Sequence, residues 1–160
     1  MATPTLPESA VATLPEQANP VGRSRWWSVA LVAGDALSFL VFAGAGRQQH
    51  GETSGLGALG YVAWTAVPFA LGWFLVSPWL GAFGRRLFDS PLRMLWRTEL
   101  AWLCAWPATL ILRALIAPDH QMPWTFAAVI LIANAVFLGL WRTAFALITR
   151  LILRQKSAQG

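Results

Sequence analysis

Four long apolar blocks, each edged by arginine, constrain this chain more than any other feature. They run from Trp26 to Gly46, from about Leu56 to Phe83, from about Leu95 to Ala117 and from about Trp124 to Thr149. Crossing about 30 Å of hydrocarbon takes about 20 helical residues at about 1.5 Å each, and every block reaches that length. Only 12% of the residues are charged and 56% are apolar; an average soluble domain has about 25% charged. That balance argues against a water-soluble globule and against a disordered chain. Backbone in lipid must bond to itself, and the blocks lack the alternation of a membrane barrel. The expected fold is all-α integral membrane, a four-transmembrane-helix bundle. Pro68 and Pro107 fall inside the second and third blocks, which spanning helices tolerate when neighbours re-satisfy the freed carbonyl.

The basic residues set the expected orientation. With the N-terminus inside, Arg23, Arg25, Arg85, Arg86, Arg93, Arg97, Arg142, Arg150, Arg154 and Lys156 fall on the inner side, and Arg47 and Arg113 on the outer. Such an excess marks the cytoplasmic face, so the topology reads N-in/C-in across a cytoplasmic membrane. Trp26, Trp27, Trp79, Trp96 and Trp141 gather at the inner boundary and Trp124 at the outer, where amphipathic rings settle. Residues 1–22 carry Pro4, Pro7, Pro15 and Pro20 with little bulky apolar content. They read as a disordered cytoplasmic tail, and no basic residue precedes an apolar core as in a secretory signal. Residues 23–150 form the expected transmembrane domain, and 151–160 a basic cytoplasmic tail. The net charge of +5 therefore reflects topology rather than a nucleic-acid stripe.

The segment between the second and third blocks mixes Arg85, Arg86, Arg93 and Arg97 with Leu87, Phe88, Leu92 and Met94. An interfacial stretch on anionic lipid has this composition. A short loop obeying the positive-inside rule explains it equally and more simply.

Ionisable groups at membrane depth need a partner, a cavity or a task. Asp35 lies eight residues past Trp27, about 12 Å along a helix and near the midplane. Ser28 and Ser38 share its face, and Gly34 beside it admits a close neighbour. Asn134, ten residues past Trp124, reaches a similar depth of about 15 Å, so an Asp35–Asn134 hydrogen bond is expected. A structural bond is favoured over a proton or cation relay, because relays usually show a chain of such groups. In the third block Glu99, Trp102, Trp106, Thr109 and Arg113 fall on one helical stripe. Glu99 is expected to clamp Arg142 of the fourth helix. Arg113 is expected at the outer level beside Asp119, Arg47 and Glu52. An indole-lined groove for an amphipathic ligand is conceivable there, but a stripe at this spacing is more often core.

Catalytic patterns are missing. The glycines at 55, 57 and 60 lack the lysine of a phosphate loop, and there is no His-Glu-x-x-His pair or nucleophile elbow. Cys104 is the sole cysteine, so no intramolecular disulfide or thiolate cluster forms. His50 and His120, with Glu52 and Asp119, share the outer face but lack tight ligand spacing. No metal or cofactor is expected.

The ordered set Gly34-Asp35, Gly46-Arg47, His50-Gly51, Pro68-Phe69, Gly72-Trp73, Arg113-Ala114 and Trp141-Arg142 resembles the small prokaryotic membrane family of domain of unknown function 3054. The resemblance covers about residues 30–145. Where that family usually reads Gly-Arg-Arg-Ser-His, this chain has Gly46-Arg47-Gln48-Gln49-His50, one base fewer. The resemblance implies a four-span membrane protein of uncharacterised activity, and makes Asp35, Arg47, His50, Arg113 and Arg142 the candidates for any site.

The function expected is a non-enzymatic structural or accessory component of a membrane assembly. Its partners would be the bilayer, anionic lipids at the inner face, and either other subunits or a second copy. The alternative is a small homodimeric transporter or proton-coupled permease using Asp35 and the third-helix stripe; four spans are few for one carrier. A lipid-modifying enzyme lacks convergent acids and bases.

Overall fold

The structure is a computed structural model that describes residues 25–48, 56–116 and 123–158, without the side chains of 47–48, 56–58 and 156–157. Lipid forces each apolar block to close its own hydrogen bonds, and four helices result: α1 Arg25–Gln48, α2 Leu56–Val76, α3 Pro91–Ile116 and α4 Trp124–Ala158. All four are long and apolar enough to span. Pro68 and Pro107 stay within α2 and α3, as expected of spanning helices. The N-terminal tail at 1–22 lies outside the described residues.

The helix ends differ from the sequence expectation at three places. α2 stops at Val76 instead of continuing to Phe83, since Pro78 forbids the next turn. α3 starts at Pro91 rather than Leu95, because proline suits a first helical position whose N–H has no partner anyway. α4 runs past Thr149 to Ala158, so most of the expected basic tail is a continuation of the helix.

Each helix packs on its neighbours in sequence, and α1 closes the ring on α4. A central cluster joins Phe39, Phe42, Phe69, Trp73, Trp102, Ile130 and Leu138. A second, at the arginine-rich end, joins Leu31, Leu87, Phe88, Met94, Phe145 and Ala146. Leu37, Val41, Trp64, Leu71, Ile132 and Leu140 point outward and are exposed, as a lipid-facing belt requires. Trp26, Trp79, Trp96 and Trp124 are between 70% and 88% exposed and sit near helix ends, where indoles meet headgroups.

The α2–α3 connection packs against the helices. Leu87 and Phe88 are buried while Arg85, Arg86 and Leu92 are exposed, so the segment folds back under the bundle. A chain of turns holds it: Ala82 N donates to Ser77 O at 3.1 Å, Gly84 N to Gly81 O at 3.1 Å and Leu87 N to Gly84 O at 3.0 Å. Gly81 takes a φ of +69°, which other residues adopt only with strain. Arg97 Nη1 donates to Leu80 O at 3.2 Å, tying the turns to α3.

Helices in lipid gain little from hiding apolar surface, so they associate by close packing at small residues. Gly72 is one such place. A Cβ there would overlap the Thr109 methyl and come within 3.0 Å of the Thr109 backbone. Gly72→Ala should force α2 and α3 apart and destabilise by about 1–3 kcal/mol, the range for overpacking. Its thermal unfolding in detergent, beside that of Gly60→Ala in open space, measures this.

Candidate functional site

The polar centre of the bundle is built from four separate stretches of chain. α1 supplies Asp35, α2 supplies Trp73, the turns after α2 supply Ala82 and Phe83, and α4 supplies Arg142. Asp35 and Arg142 are both wholly buried. Arg142 Nε donates to Asp35 Oδ1 at 2.9 Å and Nη2 donates to Oδ2 at 2.5 Å. This is the two-point fork that a planar guanidinium makes with a carboxylate. Trp73 Nε1 adds a third donor to Oδ2 at 3.0 Å. Arg142 Nη1 donates to Ala82 O at 2.6 Å, so all three guanidinium nitrogens are used. The guanidinium also lies 4.8 Å from the Trp73 ring centroid and 4.6 Å from that of Phe83. A cation between two π faces is stabilised by both ring quadrupoles.

This geometry corrects two expected pairings. Asp35 does not bond Asn134; it is held by Arg142 and Trp73. Asn134 instead donates Nδ2 to Ile130 O of its own helix at 3.0 Å. It lies eight residues from Arg142, about 12 Å along α4, and so out of register with Asp35. Nor does Glu99 clamp Arg142. Glu99 is half-buried, and its Oε1 rests over Gly139, where a Cβ would come within 2.5 Å. The physical reason is that Glu99 of α3 meets α4 at Gly139, three residues before Arg142, while the guanidinium is fully engaged by Asp35 of α1 and the Ala82 carbonyl.

The α3 stripe is packing. Trp102 Nε1 donates to Leu131 O at 2.9 Å and Trp106 Nε1 to Ala127 O at 3.1 Å. Both acceptors are backbone carbonyls of α4. Arg113 stands 5.0 Å from the Phe126 ring centroid, and the acids expected beside it lie outside the described residues. Thr109 is buried against Gly72. Arg47 falls in the last turn of α1, and its side chain, with His50, Glu52, Asp119 and His120, lies outside the described residues. Among the described residues no three His, Cys, Asp or Glu side chains come together as metal ligands.

Trp73, Ala82 and Phe83 are the members of the centre that sequence reasoning did not assign. The Gly72-Trp73 pair was the available signal: a small residue that admits α3, followed by an indole with a donor to place. Ala82 offers only a carbonyl, which no side-chain pattern announces.

A carboxylate accepts at about four lone-pair sites, and three donors already occupy Asp35. Four lipid-facing helices locked round one buried ion pair define a small multi-pass membrane protein. The chain belongs to the family described as "Protein of unknown function (DUF3054)", whose model matches residues 32–145 and so spans the whole lock. No curated protein and no solved structure matches it.

Proposed function

We propose that this protein is a non-enzymatic structural or accessory component of a membrane assembly, seated in the cytoplasmic membrane with both termini inside. The observation that carries this reading is that both Asp35 oxygens are paired within the bundle. Asp35 holds α1, α2 and α4 together, with both oxygens bonded and no exposed surface. A proton-coupled permease would need that carboxylate to lose and regain its partner beside a wet path. Support for the orientation comes from the arginines, whose excess lies at the end of the bundle that holds Arg25, Arg85, Arg86, Arg93, Arg150 and Arg154. The same arginines attract anionic lipid at about 1 kcal/mol per exposed base.

Native mass of the protein drawn gently from its own membrane tests the reading. A stoichiometric complex with other membrane subunits is the expected result. A homodimer whose Asp35→Asn variant folds but loses proton-driven flux in vesicles would overturn it in favour of the permease.

A further inference from the structure

The arginine-rich end carries a second polar arrangement that the central lock does not use. A cleft of about 330 Å³ opens there between α4 and the turn before α3, lined by Asp89, Arg150, Leu153 and Arg154. Arg150 and Arg154 are one helical turn apart on α4 and both are exposed, as is Asp89 across the cleft. Among the described residues none of these three charged side chains has an ion-pair partner. The opposite charges thus face a common space without closing on each other.

The fold fixes the two walls against one another. Thr149, the residue before Arg150, donates its hydroxyl to the carbonyl of Phe88, the residue before Asp89. The Phe88 ring meets Phe145 of α4 edge-on at 5.4 Å between centroids. On the far side of Asp89, Ser90 donates its N–H to Leu87 O at 3.1 Å and accepts from Met94 N at 2.9 Å. The backbone at Asp89 is therefore held against α4 by its neighbours on both sides. Arg150 lies eight residues beyond Arg142, about 12 Å further toward this end, and the exposed indoles of Trp79 and Trp96 mark the same end. The cleft is at headgroup depth.

We propose that the cleft is a binding site for a zwitterionic phosphodiester headgroup of the ethanolamine type. The phosphate seats between Arg150 and Arg154, the ammonium meets Asp89, and Leu153 flanks the start of the acyl region. Two cations alone would favour any anionic lipid, because guanidinium forks pair with phosphate whatever it carries. The carboxylate changes the preference: it repels a second negative charge and rewards a positive one about one ethylene unit from the phosphate. The volume lies at the lower end of the range of about 300–1,000 Å³ for small-ligand sites, which suits a headgroup rather than a whole lipid. This inference is independent of whichever partners the assembly has and of which way the bundle faces.

Native mass spectrometry of the full chain, equilibrated with equimolar phosphatidylethanolamine and phosphatidylglycerol of identical acyl chains, tests it. The wild type should retain phosphatidylethanolamine in excess. Asp89→Asn should lower that retention by about tenfold, the effect of losing one charge-assisted contact, and leave phosphatidylglycerol unchanged or stronger. Arg150→Gln with Arg154→Gln should lower both lipids by at least about tenfold. Arg86→Gln, at an exposed arginine outside the cleft, should alter neither ratio. All four positions are exposed, so the variants should melt with the wild type. An unchanged lipid ratio in Asp89→Asn, or an Arg86→Gln effect equal to that of the paired variant, would overturn the proposal. Displacement of the lipid by glycerophosphoethanolamine at matching concentration would reassign the cleft to a soluble phosphodiester and overturn its membrane role.

Discussion

Arg142→Met should cost the bundle about 3–5 kcal/mol, the penalty for removing one partner of a buried ion pair. The loss has three parts. Asp35 is left as an acid without its counter-charge, the Ala82 carbonyl loses its donor, and the space between Trp73 and Phe83 loses the cation that fills it. In water such a pair is weakly stabilising, because separating the ions returns them to a good solvent. Here the separated helices remain in hydrocarbon, so neither ion regains full hydration. Asp35→Leu combined with Arg142→Met should recover most of the loss, since a matched apolar pair often replaces a buried salt bridge at little cost. Unfolding in mixed micelles, followed by tryptophan fluorescence across the two single variants and the double, gives the coupling. Equal stability of Arg142→Met and wild type would dissolve the account of the lock.

Trp73→Ala should cost a similar amount, about 3–5 kcal/mol. Trp73 is wholly buried and touches three parts of the core at once. It donates to Asp35, covers one face of the guanidinium and packs 6.3 Å from the Trp102 ring centroid. Its removal leaves a void in a ring of helices that have little other reason to stay together in lipid. Trp73→Phe keeps most of the ring and loses the indole N–H, so about 1.5–3 kcal/mol should disappear, the value of a hydrogen bond to a charged group. The contrast between the two substitutions separates packing from hydrogen bonding. It is read by the same unfolding experiment.

The helices were legible in the sequence because lipid leaves the backbone one economical choice, and block length against bilayer thickness then counts the spans. The deep position of Asp35 was legible too, from its distance to Trp27. Its partner was not. Counting bases for topology treats every arginine as a boundary marker, and Arg142 was assigned to the inner edge on that logic. The spacing held a contrary sign: Arg150 and Arg154 continue the basic run one and two further steps toward the end, so Arg142 stands two turns inward of the nearest of them. The inward fold of the α2–α3 connection was less accessible still. Leu87, Phe88 and Met94 among arginines have the composition of a surface-lying segment, and only the contacts with Phe145 and Thr149 distinguish burial under the bundle from burial in lipid. On α3 the spacing of Trp102 and Trp106 points to core, and their indole bonds to α4 carbonyls agree.

Asp35 and Arg142 are 107 residues apart in the chain, and this separation bears on biosynthesis. A nascent polypeptide that has released its first three spans into the bilayer already carries the acid but has yet to synthesise the base. Neutralisation, and with it the docking of the turn at Ala82, waits for the last span to leave the insertion machinery. A product cut short before that point leaves the Asp35 carboxyl without its guanidinium partner.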